Sequence, residues 1–278
     1  HMFEVAHFPA LESEGWRVAL LQHECINRCS SKLESIRKAL RALGFCGKKR
    51  SFDCVPAHSP NFVHICCARG SLLSGEIARK GFKAVDITID DDFSSQVGLD
   101  KAKSALVSCS DVVWFSPPCT GGSSWQRVNM HKSDKERQTI AARRELFWKI
   151  WRKFELLMRH VKTVGCAVIM ELPNGCDYWR EPRVADFLSK NQCSISTFDG
   201  CQYGLVALHG PQKGMPLKKR WRVAGFNCDV GSMLYKKCPG VHDHARCESS
   251  NTKYVEGYTL PLAKAVGVFL KDRRSSTL

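Results

Sequence analysis

The 278-residue chain has no apolar run long enough to span a bilayer, no internal repeat and no low-complexity tract, which excludes a helical membrane protein, a solenoid and a disordered linker. It is also short of acid. Asp plus Glu total 27 against 42 Lys plus Arg, a formal charge of +15, with basic clusters at 48–50, 79–83, 218–222 and 271–274. Such a surface gains affinity for phosphates by releasing counterions, so the expected partner is a nucleic acid and not a membrane. The early segment carries Glu4, His7 and Glu12 where a secretory signal would be apolar, so an intracellular, nuclear protein is expected. In that setting fifteen cysteines point to metal ligands and reactive thiols before disulfides.

Residues 16–43 hold apolar positions at helical spacing, among them Val18, Leu21, Ile26, Leu33, Ile36 and Leu40, and stop at Gly44 before a basic stretch. Residues 1–60 therefore read as a helical extension with a basic linker. From Asn61 the pattern becomes α/β: strands at 62–66, 84–89, 111–115, 166–171 and 220–226, and helices at 72–80, 143–161 and 183–190. Strands alternating with helices predict a Rossmann-like, mostly parallel sheet with helices on both faces and ligands at the carboxyl ends of its strands. Residues 61–226 form this domain, 227–257 show little periodicity, and 258–278 close with a helix.

Three segments carry chemistry. In the first, the strand at 62–66 leads into Ala68-Arg-Gly70, a small-residue turn where a backbone can approach a nucleoside; Asp86 or Asp90, near the end of the next strand, is placed to accept ribose hydroxyls. The dinucleotide fingerprint of three spaced glycines is missing. In the second, Ser116-Pro-Pro-Cys-Thr-Gly-Gly122 delivers a thiol at a strand end between two prolines and two glycines, the latter expected to let another molecule come close. Trp125 and Gln126 follow; Trp125 could stack on a base. In the third, Cys238, His242, His244 and Cys247 lie within ten residues, and two thiolates with two imidazoles make a closed zinc set.

The order of these motifs resembles the S-adenosylmethionine-dependent cytosine carbon-5 DNA methyltransferases. Ser116-Pro-Pro-Cys119 is similar to that family's Pro-Cys-Gln motif at the fourth strand, Glu171-Leu-Pro173 to Glu-Asn-Val at the fifth, and Lys218-Lys-Arg-Trp-Arg222 to Gln-x-Arg-x-Arg near the seventh. Short domains of this kind are also similar to those carried by retroelement polyproteins. The resemblance implies a class I methyltransferase fold with S-adenosylmethionine held by Cys66, Cys67, Ala68, Arg69, Gly70, Asp86, Asp90, Ser116 and Pro117. It implies Cys119 as nucleophile, Glu171 as the acid on the ring, Arg220 and Arg222 on the base oxygen, and Lys218, Lys219, Trp125 and Gln126 on DNA. Thr120, Leu172-Pro173 and Lys218 depart from the family pattern. The glycine-rich Pro-Cys motif is similar as well to that of RNA cytosine methyltransferases, but those take their nucleophile from a Thr-Cys pair at the fifth strand, where Glu171-Leu-Pro stands here. A module that keeps the fold and binds nucleic acid without turnover is the third expectation.

Overall fold

A computed structural model describes residues 59–247 and 257–277. The helical extension expected over 16–43 and its basic linker lie outside the described residues.

Six strands, β1 (Asn61–Ile65), β2 (Lys83–Ile87), β3 (Val112–Phe115), β4 (Ala167–Pro173), β5 (Ser194–Asp199) and β6 (Arg220–Phe226), form one sheet in the order β2-β1-β3-β4-β6-β5. The first four pair in parallel, whereas β6 runs antiparallel to both β4 and β5. The sheet is therefore mixed but mostly parallel, as expected: five strands run in one direction and β6 alone is reversed. The chain returns from β5 to β6 through residues 200–219, which hold a 3-10 turn (Gly200–Tyr203) and no crossover helix, so β6 runs antiparallel.

The resemblance numbers the strand before Ser116 as fourth. In the structure it is the third, because 88–111 folds into a 3-10 turn (Ile89–Asp91) and helix α2 (Gln96–Ser104), leaving no strand between β2 and β3. Helix α1 (Leu72–Ala78) crosses over between β1 and β2, and the single-turn α3 (Gln126–Asn129) precedes α4 (Asp134–Val164). Helices α5 (Pro182–Lys190) and α6 (Leu260–Thr277) complete the fold.

Helix α4 begins nine residues before the expected start. Its polar first turns carry no apolar stripe; the start is set by Ser133, whose Oγ accepts from the Glu136 N–H at 3.2 Å. Its end is set by Gly165 at φ +83°.

Alternation along the strands divides the core. Ile65, Phe115, Met170, Leu172 and Ala224 face α2, α4 and α5, where Phe147, Trp151, Phe154 and Val184 are buried. Trp114, Ile169, Trp221 and Val223 face the other way, against Leu73 and Ile77 of α1 and Leu262, Val266 and Leu270 of α6. Helices thus cover both faces, and the carboxyl ends of β1, β3 and β4 open side by side at one edge.

Candidate active site

At that edge a cavity of about 570 Å³ joins the turn after β1 to the segment after β3 and the end of β4. Cys66, Cys67, Ala68, Arg69, Gly70, Ser116 and Pro117 line it, as the sequence predicts, together with Cys119, Glu171 and Lys219. In this turn Cys66 and Gly70 sit at φ +64° and +65°, and a Cβ on Gly70 would meet nothing within 4 Å.

Asp86 and Asp90, expected at the cofactor, do not line this cavity. Asp86 accepts from Ser74 Oγ at 2.6 Å, and Asp90 pairs with Arg69 at 2.7 Å, which ties the turn to the end of β2. His64, which sequence reasoning missed, lines the same cavity. Its Nδ1 meets Ser74 Oγ at 3.0 Å, while Nε2 is buried without a partner among the described residues. Burial lowers its pKa to about 3, so the imidazole is neutral. The signal available for it was the pairing of a strand histidine with Ser71 and Ser74 on the following helix.

The walls of the cavity are suited to a polar ligand of cofactor size. Its volume falls within the ~300–1,000 Å³ of small-molecule sites, and it presents two orphaned buried polar atoms, His64 Nε2 and Glu171 Oε1. Glu171 is 7% exposed and its carboxyl is pushed up to about 7 by burial, against the pull of Lys219 and of a hydrogen bond from Tyr258. A buried glutamic acid that holds its proton to higher pH can donate to a ring nitrogen, which an ionised carboxylate cannot.

Cys119 stands half-buried at the start of a 3-10 turn, Thr120–Gly122. That turn is held from three sides: Gln126 Nε2 donates to Thr120 O at 2.8 Å, Arg144 Nε to Gly121 O at 3.1 Å, and the Gly122 N–H to Cys119 O at 3.0 Å. Gln126, expected at DNA, is 6% exposed; it braces this turn and also lines the second cavity described below. The two glycines likewise serve the interior. A Cβ on Gly121 would run into the Tyr178 hydroxyl and the backbone of Arg143 and Arg144, and one on Gly122 would lie 2.8 Å from Cys176 Sγ. The expectation that they admit an outside molecule is corrected: they let the cysteine turn pack onto α4 and the loop after β4.

A second cavity, of about 610 Å³, shares Cys119, Thr120, Pro173 and Lys219 with the first. It is walled by Trp125, 62% exposed, and by Lys132 and Cys247. Cys119 thus lies between a pocket built from the β1 turn and a more open one carrying an aromatic ring and two lysines. Cys66, Cys67 and Cys176 nearby are each pushed up to about 12 by burial, so they stay protonated.

The structure does not bring the two arginines to Glu171. Arg222 lies opposite Leu172 in the β4–β6 register, on the sheet face opposite to Glu171; its Nε reaches Asn174 Oδ1 at 3.2 Å and its guanidinium sits over Trp179. Arg220 forks onto the fully buried Asp199, Nε at 2.7 Å and Nη2 at 3.0 Å. The cation beside Glu171 is Lys219, whose ammonium lies over the Trp221 ring at 4.6 Å; Lys218 is exposed.

Of the four residues expected to hold zinc, Cys238, His242 and His244 are brought together and Cys247 is not. The fourth member of that group is Cys201, from the turn after β5, and the four ligand atoms lie within 4.8 Å of one another, so the group could hold a metal ion. Cys247 instead packs against the core cluster on the α1 and α6 face of the sheet.

No protein-family model, curated protein or solved structure matches the chain.

Proposed function

We propose that the protein is an S-adenosylmethionine-dependent methyltransferase acting at carbon-5 of cytosine in DNA through a thiolate adduct on Cys119. The observation that carries this reading is the position of Cys119, common to two cavities, with a buried Glu171 of raised pKa in the first. The mixed sheet is compatible with a class I methyltransferase fold: a reversed strand set beside the Glu171 strand brings Lys219 to the site.

Carbon-5 of cytosine is too weak a nucleophile until carbon-6 is attacked. Cys119 Sγ forms a bond to carbon-6 while the ring's double-bond electrons move toward carbon-5 and N3. Glu171 Oε1 donates its proton toward N3 and takes up that charge, and Lys219 holds the base oxygen in the role that the resemblance gives to arginine. S-adenosylmethionine, seated on the Cys66–Gly70 turn, would supply the methyl group. Loss of the carbon-5 proton to water and return of the N3 proton to the Glu171 carboxylate restore the double bond and expel the Cys119 thiolate. A ring treated in this way must leave the stack, and Trp125 with Lys132 provides a surface for the flipped or single-stranded base and its phosphates.

The test is transfer of label from S-adenosylmethionine to cytosine in DNA and, separately, in RNA. Wild-type protein should transfer and Cys119→Ser should not. Cofactor binding without transfer to either substrate would favour a binding module instead.

A further inference from the structure

We propose that Cys201, Cys238, His242 and His244 bind one zinc ion tetrahedrally, and that this ion clamps the turn after β5 to the loop after β6. This inference does not rest on the methyltransferase reading.

Cys201 lies in the 3-10 turn Gly200–Tyr203, and the other three residues in the irregular segment following β6. Their ligand atoms all fall within 4.8 Å of one another. Cys238 Sγ is 3.7 Å from His242 Nε2 and 3.3 Å from His244 Nε2. A tetrahedral zinc with Zn–S of ~2.3 Å and Zn–N of ~2.0–2.1 Å requires S···N edges of about 3.5 Å, and the two distances bracket that value. The imidazoles are tilted by 56° with centroids 4.5 Å apart, an arrangement in which both can aim a nitrogen at one point.

The outer contacts agree with a fixed site. The Gly240 N–H donates to Cys238 Sγ at 3.4 Å, and the Cys238 N–H donates to Asp199 Oδ2 at 2.9 Å. Asp199 also receives both arms of Arg220, and the adjacent Gly200 N–H donates to Lys219 O at 2.8 Å. From Tyr235 through His244 no residue is buried, so apolar packing does not order this loop. A metal bond supplies that order. Two thiolates and two imidazoles with no acidic oxygen favour zinc over a hard cation.

The ion's structural consequence falls on β6. With both flanking segments joined, the backbone at Lys219 and the Asp199–Arg220 pair are held in register, so zinc acts on the strand that presents the basic side chains without touching substrate.

The experiment uses the full chain, purified without chelator. Elemental analysis should find one zinc per chain, and cobalt(II) exchanged for it should give the visible absorption and thiolate charge-transfer bands of a tetrahedral two-sulfur site. Thiol alkylation followed by peptide mass spectrometry should modify Cys201 and Cys238 only after zinc is chelated, which tests the ligands without any mutation. Cys201→Ser should lose the zinc under a competing chelator, and Cys247→Ser should keep it. Zinc loss in Cys247→Ser with retention in Cys201→Ser, Cys201 alkylated at full rate in zinc-loaded protein, or failure of the wild type to bind zinc or cobalt would overturn the assignment.

Discussion

The Tyr258 hydroxyl donates to Glu171 Oε2 at 3.1 Å across 87 residues of chain. The same oxygen receives Trp114 Nε1 at 2.8 Å, and because its one proton goes to Glu171, the Ser116 hydroxyl 2.7 Å away must donate to it. One residue next to α6 thus links the segment bearing Cys119 to the acid on β4.

Replacing Tyr258 by Phe removes a donor that favours the charged form of Glu171. The carboxyl should then titrate above about 7, and the alkaline limit of transfer should move up with it. The buried partners left behind should cost about 2 kcal/mol of stability. A pH–rate profile and chemical denaturation read the two effects separately.

Glu171 also sets a pH dependence of stability. Its folded pKa is raised from 4.5 to about 7, so the folded state favours the neutral acid; the associated stability is fully present below pH 4.5 and is lost as pH rises through 7. Glu171→Gln, neutral throughout, should match the wild type near pH 4.5 and exceed it at pH 8 by up to about 3 kcal/mol. Denaturation midpoints at the two pH values check the sign.

Arg220 and Lys219 should separate stability from chemistry. Arg220→Ala leaves the Asp199 carboxylate buried without its fork, which should destabilise by about 2 kcal/mol, the half-exposed guanidinium softening the full penalty. Lys219→Gln should leave stability within about 1 kcal/mol and lower transfer by about 100-fold. The comparison pairs equilibrium unfolding with single-turnover kinetics.

Gly121→Ala should displace the cysteine turn, since its methyl meets the Tyr178 hydroxyl and the start of α4. A stability loss of about 1–3 kcal/mol is expected. Slower alkylation kinetics at Cys119 than in the wild type would show that the turn holds the thiol in an accessible position.

Much of this fold is legible in the sequence, because β1, β3 and β4 are almost wholly buried runs with turn residues at their ends, and β6 is marked by Trp221 and Val223 alternating with its arginines. Ser194–Asp199 is not: an edge strand reading Ser-Ile-Ser-Thr-Phe-Asp has half-buried positions and too little apolar contrast to announce itself. The sites divide in the same way. Cys119 and the Cys66–Gly70 turn are marked by local proline and small-residue chemistry, and they do share a cavity. Cys201 and Tyr258 carry no local signal, since each is defined by partners 37 and more residues away that only the chain's return brings near. The Arg-x-Arg pair misleads for a related reason: alternation places both arginines on one face, but the register with β4 decides that this is the face away from Glu171.

The central claim is that Cys119 attacks a pyrimidine ring. Incubating the protein with S-adenosylmethionine and DNA containing 5-fluorocytosine, whose carbon-5 cannot lose a proton, should trap a covalent complex; peptide mass spectrometry should locate the bond on Cys119, and Cys119→Ser should give none. A bond on another residue, or methyl transfer to ordinary cytosine by Cys119→Ser, would contradict the account.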